Sequence, residues 1–351
     1  RLELIAYTNS PKEDDLTRRI KPHFAHWREI YALGDQAAAQ LIHDDGIHVL
    51  LDLSGHTAYN RLPVFAWKPA PIQTTWLGYF ASTGVAEMDY ILGDKWLLPE
   101  NEANHFIEKG WQLAGAHSCL TPPAEQVSTA TLPALRSQTI TFGTLNNLAK
   151  MNDRVVACWA RILTSIPNSQ LYFNTKALHD ETVKRSIIDR YAAHGIAANR
   201  LILESTTGRL AALNSYNRID IALDPFPYPG GTTSYEALWM GVPILTMQGH
   251  NYISHLGESI LHNAGLPDWI ARDEDDYVAK AIQFAGDLPK LAALRAGLRE
   301  QVLASPLFNA SRFAKHFEEA LWGMWQAKQP ALVGALQSPP SPSSSHQAHP
   351  A

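Results

Sequence analysis

Short apolar runs alternate with helical patterns along most of the chain, and the alternation is clearest in its second half. The run 46–53 is nearly continuous in apolar residues and 219–223 is a run of the same buried type, as expected of strands in a parallel sheet. In 153–166, apolar residues recur at helical spacing instead. This rhythm predicts a doubly wound α/β sheet whose ligands bind beyond the carboxyl ends of its strands.

Individual elements can be placed from the same pattern. Strands are predicted at 2–7, 46–53, 72–77, 90–92, 139–143, 170–174, 201–204, 219–223 and 243–247. Helices are predicted at 35–43, 58–67, 153–166, 180–194, 210–216, 234–240, 254–263, 274–284, 288–304 and 311–328.

The division into domains follows from this pattern and from local composition. Residues 1–120 are interpreted as a partial N-terminal Rossmann-like domain, and residues 121–137, which lack clear periodicity, as an interdomain linker. Residues 138–330 form the clearer C-terminal Rossmann-like domain with its terminal helices. The stretch 331–351 is rich in Ser and Pro and is predicted to be disordered.

Composition excludes several classes of protein. With 46% apolar and 18% charged residues, the chain of 351 residues can bury substantial cores. A net charge of −5 argues against a nucleic-acid partner. No apolar run is long enough to span a bilayer and no signal peptide is visible, so no membrane partner is expected. Two isolated cysteines, Cys119 and Cys158, fit a reducing compartment, and a cytoplasmic location is expected.

The segment 224–236 carries the strongest chemical signal. A strand leads through a Pro-rich turn into two glycines and two threonines, and then into a helix. Glycine lets the backbone approach a ligand closely, and the N-terminus of a helix attracts phosphate. The segment predicts a nucleotide-binding loop, although similar turns occur in α/β proteins that bind nothing. Its candidate donor-binding residues are Gly230, Gly231, Thr232, Thr233 and Glu236.

A second loop at the same predicted edge ends in a lysine. It follows strand 139–143 and closes with Lys150, whose ammonium could neutralise a diphosphate leaving group. Taken alone, Lys150 is more simply a solvated lysine, and its pairing with the glycine loop favours the functional role. The acidic run 273–276 is most simply a solvated helix start that does not follow a strand. No metal site is predicted, and a metal-independent transfer is favoured.

Two loops of small and polar residues follow strands in the first domain. The loop 52–57 contains His56, which the functional interpretation places at the interdomain cleft, while a plain helix cap is equally compatible with this sequence. The loop 77–84 contains Thr83 and Gly84. It could bring backbone N–H groups to a sugar or an acceptor, or be a simple turn.

Eight ordered motifs resemble those of protein O-linked N-acetylglucosaminyltransferases, and the chain looks like a bacterial member of that family. The motifs are 52–57, 61–66, 69–73, 76–79, 88–90, 145–150, 224–241 and 305–308. The resemblance implies two Rossmann-like domains facing a cleft, the GT-B architecture, with an incomplete N-terminal domain. It also implies inverting transfer of N-acetylglucosamine from UDP-N-acetylglucosamine to Ser or Thr hydroxyls of a protein, without metal or other cofactor.

The same resemblance gives roles to residues by motif. Lys150 would stabilise the departing UDP phosphates, aided by Thr232 and Thr233. Asn147 would lie beside the diphosphate and the sugar, and Glu236 would hold the ribose hydroxyls. The catalytic base stays unassigned. Three further residues are placed on the sugar or acceptor side: His56, Thr83 and Gly84.

Three departures from the family pattern are expected to matter. The family's first strand, with the histidine loop after it, would precede Arg1, which would leave part of the N-terminal sheet edge unpaired. Ala212 stands where many relatives have a histidine that packs against uracil, and His255 replaces a common arginine. The departures predict altered donor affinity and leave open that this stretch alone is inactive.

Two alternatives to this function stay open. One is a related enzyme that transfers a hexose from its UDP donor to asparagine, and the other is a non-catalytic module that binds UDP. Relatives often carry N-terminal tetratricopeptide repeats, so such repeats are expected upstream. If the protein is either of the two enzymes, its expected partners are a UDP-sugar donor and a protein or peptide acceptor.

Overall fold

Parallel strands organise residues 2–337, the part of the chain that the computed structural model describes. The strands are β1 (Ile5–Thr8), β2 (His26–Glu29), β3 (Val49–Asp52), β4 (Ile72–Thr75), β5 (Tyr90–Gly93), β6 (Lys109–Gln112), β7 (Ile140–Thr144), β8 (Ser169–Asn174), β9 (Leu201–Glu204), β10 (Ile221–Leu223), β11 (Ile244–Met247) and β12 (Ile270–Ala271). The α-helices are α1 (Asp15–Ile20), α2 (Asp35–Asp44), α3 (Leu62–Phe65), α4 (Ala134–Ser137), α5 (Asp153–Ser165), α6 (Glu181–Ala192), α7 (Arg209–Ser215), α8 (Thr232–Trp239), α9 (Leu256–Asn263), α10 (Glu274–Ala285), α11 (Leu288–Leu303) and α12 (Ala310–Gln337).

Six parallel strands form the C-terminal sheet, in the order β12-β11-β10-β7-β8-β9. The central strand β7 is buried at every position, as expected of a strand covered on both faces. The strand order reverses at β7, because β8 lies on one side of it and β10 on the other. The loops after β7 and β10 therefore emerge side by side at the switch point, where doubly wound sheets bind ligands.

Two smaller parallel sheets make up the N-terminal part. Strand β1 pairs with β2, and β3, β4, β5 and β6 pair in sequence order. Among the described strands, β1 pairs only with β2, and β3 only with β4. Tyr7 of β1, Ile42 of α2 and Leu50 of β3 nevertheless belong to one apolar core. The two sheets are thus parts of one packed unit.

Helix α12 returns to the N-terminal sheet. Phe313 and Phe317 pack on Trp76, with ring centroids 5.7 Å and 4.8 Å from that of the indole. The sequence division places 138–330 with the C-terminal domain, whereas the apolar face of α12 covers the first domain. The helix therefore ties the two halves of the molecule together.

Buried polar groups also join the two domains. Asp94, after β5, accepts hydrogen bonds from Ser259 Oγ at 2.5 Å and from Asn263 Nδ2 at 3.1 Å, both on α9. The Tyr252 hydroxyl donates a hydrogen bond to Leu92 O at 2.8 Å. Because breaking a buried hydrogen bond leaves an unpaired polar group, these hydrogen bonds stabilise the contact between the two domains.

Several elements differ from their predicted extent. The predicted helix 58–67 shrinks to α3, because Tyr59 has a φ of 63°, outside the helical region. Strands β2 and β6 are not predicted, since both lie at sheet edges and have largely polar sequences that give no apolar run. Strand β12 is only two residues long, too short to show a pattern.

The C-terminal boundary also needs correction. Helix α12 extends to Gln337, so residues 331–337 are helical where disorder is predicted. The Ser- and Pro-rich composition begins only at residue 338, which explains the error. The remainder of the predicted disordered tail, 338–351, lies outside the described residues. Within the described residues, every helix is too short or too polar to cross a membrane.

Candidate active site

One buried carboxylate organises the loop after β10. Asp224 directly follows the strand and is 2% exposed. Its Oδ1 accepts a hydrogen bond from the Gly230 N–H at 2.8 Å, and its Oδ2 accepts one from Thr246 Oγ1 at 3.2 Å. Burial raises the pKa of Asp224, opposed by the Gly230 N–H and by the charge of Lys150. Asp224 thus ties the returning end of the loop to the strand.

The two glycines of this loop have different roles. A Cβ on Gly230 would lie 2.2 Å from Ser234 Oγ and 2.9 Å from Asp224 Oδ1, so only glycine fits there. The Gly230 N–H is already bonded to Asp224. Gly231 has more room, with Leu256 Cδ2 at 3.6 Å from its added Cβ. The Gly231 carbonyl accepts the N–H groups of Ser234 and Tyr235, so it is the Gly231 N–H that is left for a ligand.

Helix α8 begins two residues earlier than the sequence predicts, at Thr232. Thr232 and Thr233 therefore lie in its first turn, where backbone N–H groups have no partner within the helix and the dipole favours an anion. Thr233 Oγ1 donates to Asn146 Oδ1 at 3.2 Å, which links this turn to the loop after β7. Thr232 is exposed at the helix start.

Lys150 lies against the glycine loop, as the strand order requires. Its Nζ donates to Pro229 O at 2.6 Å and to Asn146 Oδ1 at 3.3 Å, and lies 3.9 Å from the ring centroid of Tyr228. Burial lowers the pKa of Lys150, and the charge of Asp224 opposes this. Within residues 2–337 no carboxylate forms an ion pair with Lys150, so neutral groups hold its charge and leave it available to an anion.

The two asparagines before Lys150 are arranged differently. Asn147 caps the short turn that follows, with its Oδ1 accepting the Ala149 N–H at 3.0 Å. Asn146 is 6% exposed and lies between Lys150 and Thr233, accepting a hydrogen bond from each. The structure therefore adds Asn146 to the candidate site, while the donor contact of Asn147 stays a prediction.

Glu236 lies on the inner side of α8 and is 8% exposed. Burial raises the pKa of its carboxyl group, and the neighbouring Arg209 opposes the rise. Arg209 Nη1, at the start of α7, donates to Glu236 Oε1 at 2.7 Å. Among the described residues, Glu236 Oε2 accepts no hydrogen bond. One carboxylate oxygen is thus paired within the protein, and the other is left for a ligand hydroxyl.

On the opposite domain, the loops after β3 and β4 interlock through glycine. A Cβ on Gly78 would lie 2.3 Å from the carbonyl carbon of Ser54, and one on Gly55 would lie 2.9 Å from Tyr79 N. Asp52 anchors the first loop by accepting the N–H groups of Ser54 and Gly55 at 3.0 Å and 2.9 Å. This close backbone contact fixes the side chains that the two loops carry.

His56 and the loop containing Thr83 do come together. His56 Nε2 lies 2.9 Å from Ser82 O, and because a carbonyl only accepts, Nε2 carries the proton. Thr83 is 4% exposed, and both its hydroxyl and its backbone N–H donate hydrogen bonds to the carboxylate of Glu108. Gly84 has a φ of 72°, which favours glycine. Thr83 is therefore a positioning element of this loop, while His56 is exposed.

A depression of about 480 Å³ lies beside the glycine loop at the ends of β10, β11 and β12. Two of its arginines pair with acids of the same lining, Arg154 with Glu274 at 2.7 Å and Arg161 with Asp275 at 2.6 Å. Contrary to the prediction, this acidic run does follow a strand, β12, while Asp273 caps α10 as expected. Within residues 2–337, no group of three or more His, Cys, Asp or Glu side chains is arranged to hold a metal ion.

Four contributors to this arrangement are missed by sequence reasoning: Asp224, Asn146, Arg209 and Tyr228. The first two could have been found, because polar residues just beyond buried strands lie at the ligand edge of a doubly wound sheet. Arg209 and Tyr228 give no such signal, since their contacts depend on segments far apart in the chain.

Two parallel α/β units facing a cleft, with a lysine loop and a helix N-terminus at a strand-order switch point, are the arrangement of the GT-B class of glycosyltransferases. The chain belongs to glycosyl transferase family 41, whose sequence model matches residues 1–117 and 112–317. The family resemblance and the fold class predicted from the sequence are both confirmed.

Two plant relatives illustrate the similarity. The chain is 35% identical over 329 residues to a probable UDP-N-acetylglucosamine–peptide N-acetylglucosaminyltransferase SPINDLY of Solanum lycopersicum, covering 92% of this chain and 35% of that protein. It is 28% identical over 336 residues to the transferase SEC of Arabidopsis thaliana, covering 92% and 34%. The chain therefore spans about a third of the length of these curated relatives.

A solved bacterial structure extends the comparison to three dimensions. A variant of the Thermobaculum terrenum O-GlcNAc transferase superposes with a TM-score of 0.89 and 34% sequence identity. The match covers 94% of this chain and 63% of that one. Both domains of the present chain thus share the arrangement of that transferase.

Proposed function

We propose that this chain carries the catalytic region of a UDP-N-acetylglucosamine-dependent protein O-glycosyltransferase. The acceptor oxygen of a Ser or Thr side chain attacks the anomeric carbon, and the bond from that carbon to the UDP β-phosphate oxygen breaks. The electron pair leaves with UDP, and the hydroxyl proton passes to a base. A single displacement inverts the configuration at the anomeric carbon.

The placement of Lys150 is the observation that carries this proposal. Its ammonium shares the acceptor Asn146 Oδ1 with Thr233 in the first turn of α8, and its direct contacts are with neutral groups. Lysine and helix N–H groups together can stabilise the negative charge that develops on a diphosphate leaving group. This electrostatic role supports a reaction that proceeds without a metal ion.

The remaining residues fit the parts of a nucleotide sugar around this centre. The free oxygen of Glu236 can accept a ribose hydroxyl, and the N–H groups at Gly231 and Thr232 can contact phosphate oxygens. Across the cleft, His56 and Gly84 lie on the sugar and acceptor side. The names of the relatives, which specify UDP-N-acetylglucosamine and peptide, support the choice of donor and acceptor.

Calorimetric titration with UDP tests the donor site. Lys150→Ala and Glu236→Ala should each weaken UDP binding by at least about tenfold, because each removes a charge-assisted contact. Lys176→Ala removes another lysine at a loop after a strand of the same sheet and should bind UDP like the wild type. Unchanged UDP binding in both site variants would contradict the donor site.

Mass spectrometry of acceptor peptides incubated with the full-length protein and UDP-sugars tests the reaction itself. The proposal expects a mass increase of one N-acetylglucosamine on Ser or Thr. A hexose on asparagine would establish the N-glycosyltransferase alternative. UDP binding without any transfer would identify a non-catalytic binding module.

A further inference from the structure

The ring of Tyr228 links the two sides of the cleft. Its face covers Lys150, with Nζ 3.9 Å from the ring centroid. Tyr228 also makes a T-shaped ring contact with Tyr79 of the N-terminal domain, in which the ring centroids are 6.4 Å apart and the ring planes are 88° to each other. Tyr79 in turn contacts His56, at 6.5 Å. A series of ring contacts therefore runs from the acceptor-side loops to the donor-side lysine.

Lys150 needs groups that favour its charged form, because burial lowers its pKa. Pro229 O and Asn146 Oδ1 provide this by accepting hydrogen bonds, and the face of Tyr228 provides it through its electron-rich ring. None of these groups carries a negative charge. The charge of Asp224 also favours the ammonium, but among the described residues no carboxylate forms an ion pair with it.

Tyr228 also covers Lys150 towards the interdomain space. Tyr228 is 36% exposed and Tyr79 is 44% exposed, so both rings border the open cleft rather than the core. Water that reaches this space competes with an acceptor hydroxyl for the anomeric carbon of a bound donor. Its attack would release the same UDP and leave a free sugar.

We infer that Tyr228 is a positioning residue for the transfer, one whose ring holds the Lys150 ammonium and shields the leaving-group end of the cleft from water. The inference rests on the proposed function of the site. The Tyr228 hydroxyl is not needed for this role, because the face of the ring contacts the Lys150 ammonium. Phenylalanine at this position should therefore work as well as tyrosine.

A first test needs no substrate. The labelling rate of Lys150 by an amine-acetylating reagent is measured by peptide mass spectrometry on the full chain. Tyr228→Ala should raise this rate by about tenfold, through loss of the cover and of the cation–π contact. Tyr228→Phe should label like the wild type, and so should Tyr31→Ala, which removes an exposed tyrosine elsewhere. Equal rates in Tyr228→Ala and the wild type would overturn the inference.

A second test measures how consumed donor divides between free sugar and glycosylated peptide. Tyr228→Ala should raise the hydrolysed share by about tenfold, since it removes the cover over the leaving group. Tyr228→Leu keeps an apolar cover but lacks the aromatic face, so it should slow transfer with a hydrolysed share near that of the wild type. An unchanged share in Tyr228→Ala would rule out shielding.

The two proposals fail in different ways. If neither Lys150→Ala nor Glu236→Ala alters UDP binding, the proposed function fails, whereas the labelling result still decides whether Tyr228 holds Lys150. If UDP binding depends on Lys150, but neither the labelling rate of Lys150 nor the hydrolysed share of the donor changes in Tyr228→Ala, only the inference about Tyr228 fails. The midpoint of thermal unfolding, compared across the Tyr228 variants, shows that each is folded.

Discussion

Arg209 Nη1 donates a hydrogen bond to Glu236 Oε1 at 2.7 Å, joining the start of α7 to the inner face of α8. Burial raises the pKa of Glu236, and Arg209 is the group that opposes the rise most strongly. Arg209 therefore favours the ionised form of the residue expected to hold a ribose. Its binding role depends on a contact that the local sequence does not show.

Removal of Arg209 should make UDP binding sensitive to acid. In Arg209→Met the carboxyl group of Glu236 keeps its burial but loses its cation, so its pKa rises further. A protonated carboxyl accepts ribose hydroxyls poorly, so we expect UDP affinity to be lower than in the wild type and the deficit to grow as the pH is lowered. Calorimetric titration at several pH values provides the measurement.

The matched control for this prediction is Arg218→Met. Arg218 pairs with Glu204 at 2.6 Å on a more exposed surface, at the carboxyl end of β9. Its loss should leave both UDP affinity and the pH dependence as in the wild type. Parallel pH profiles for Arg209→Met and the wild type would show that Arg209 does not control Glu236.

Asp224→Asn should separate stability from binding. The amide replaces a buried carboxylate that accepts the Gly230 N–H, so we expect a loss of about 1–3 kcal/mol in unfolding free energy and weaker UDP binding. Asp220→Asn is the control, because Asp220 is equally buried but accepts the N–H groups of Ala134 and Thr141. It should lose similar stability in urea unfolding while binding UDP normally.

The two glycines of the loop should differ when each is replaced by alanine. Gly230→Ala places a Cβ 2.2 Å from Ser234 Oγ and should cost about 1–3 kcal/mol through overpacking, with a large loss of UDP affinity. Gly231→Ala has 3.6 Å to its nearest neighbour, Leu256, and should cost less. Urea unfolding and UDP titration of both variants give the comparison, and equal stability losses would contradict the packing argument.

The domain interface should weaken as the pH rises, through His255. Its Nδ1 lies 2.6 Å from Glu258 and its Nε2 3.1 Å from Glu102 of the other domain. Burial alone would lower the pKa of His255, but the two carboxylates raise it above its usual value. A raised histidine pKa contributes stability that is complete below the unfolded value, near 6.5, and is lost as the pH rises through the folded value.

The variant His255→Gln tests this dependence. At about pH 6 it should be less stable than the wild type by about 1–2 kcal/mol, because charged hydrogen bonds to two carboxylates are lost, and the difference should shrink on raising the pH. His43→Gln, at a surface pair with Asp44, should show no such trend. Urea unfolding at several pH values is the measurement, and a constant difference would refute the prediction.

Local pattern was sufficient for five of the six strands of the C-terminal sheet, all but the two-residue β12. The predicted strand 201–204 coincides with β9, and the predicted strand 139–143 begins and ends one residue before β7. Strands of a parallel sheet are rich in apolar residues, so most of them can be recognised without tertiary information. Because loops after parallel strands share one edge, the proximity of Lys150 to the glycine loop also follows from the sequence.

The pairing of individual side chains was decided only by the tertiary structure. Asn146 and Asn147 are chemically identical neighbours, yet only Asn146 meets Lys150 and Thr233, because successive residues leave the strand end in different directions. Sequence alone thus determined five strands of the C-terminal sheet, the two candidate donor loops and the family. The individual side-chain contacts within the site depend on packing between segments that are far apart in the chain. The local sequence pattern carries no information about that packing.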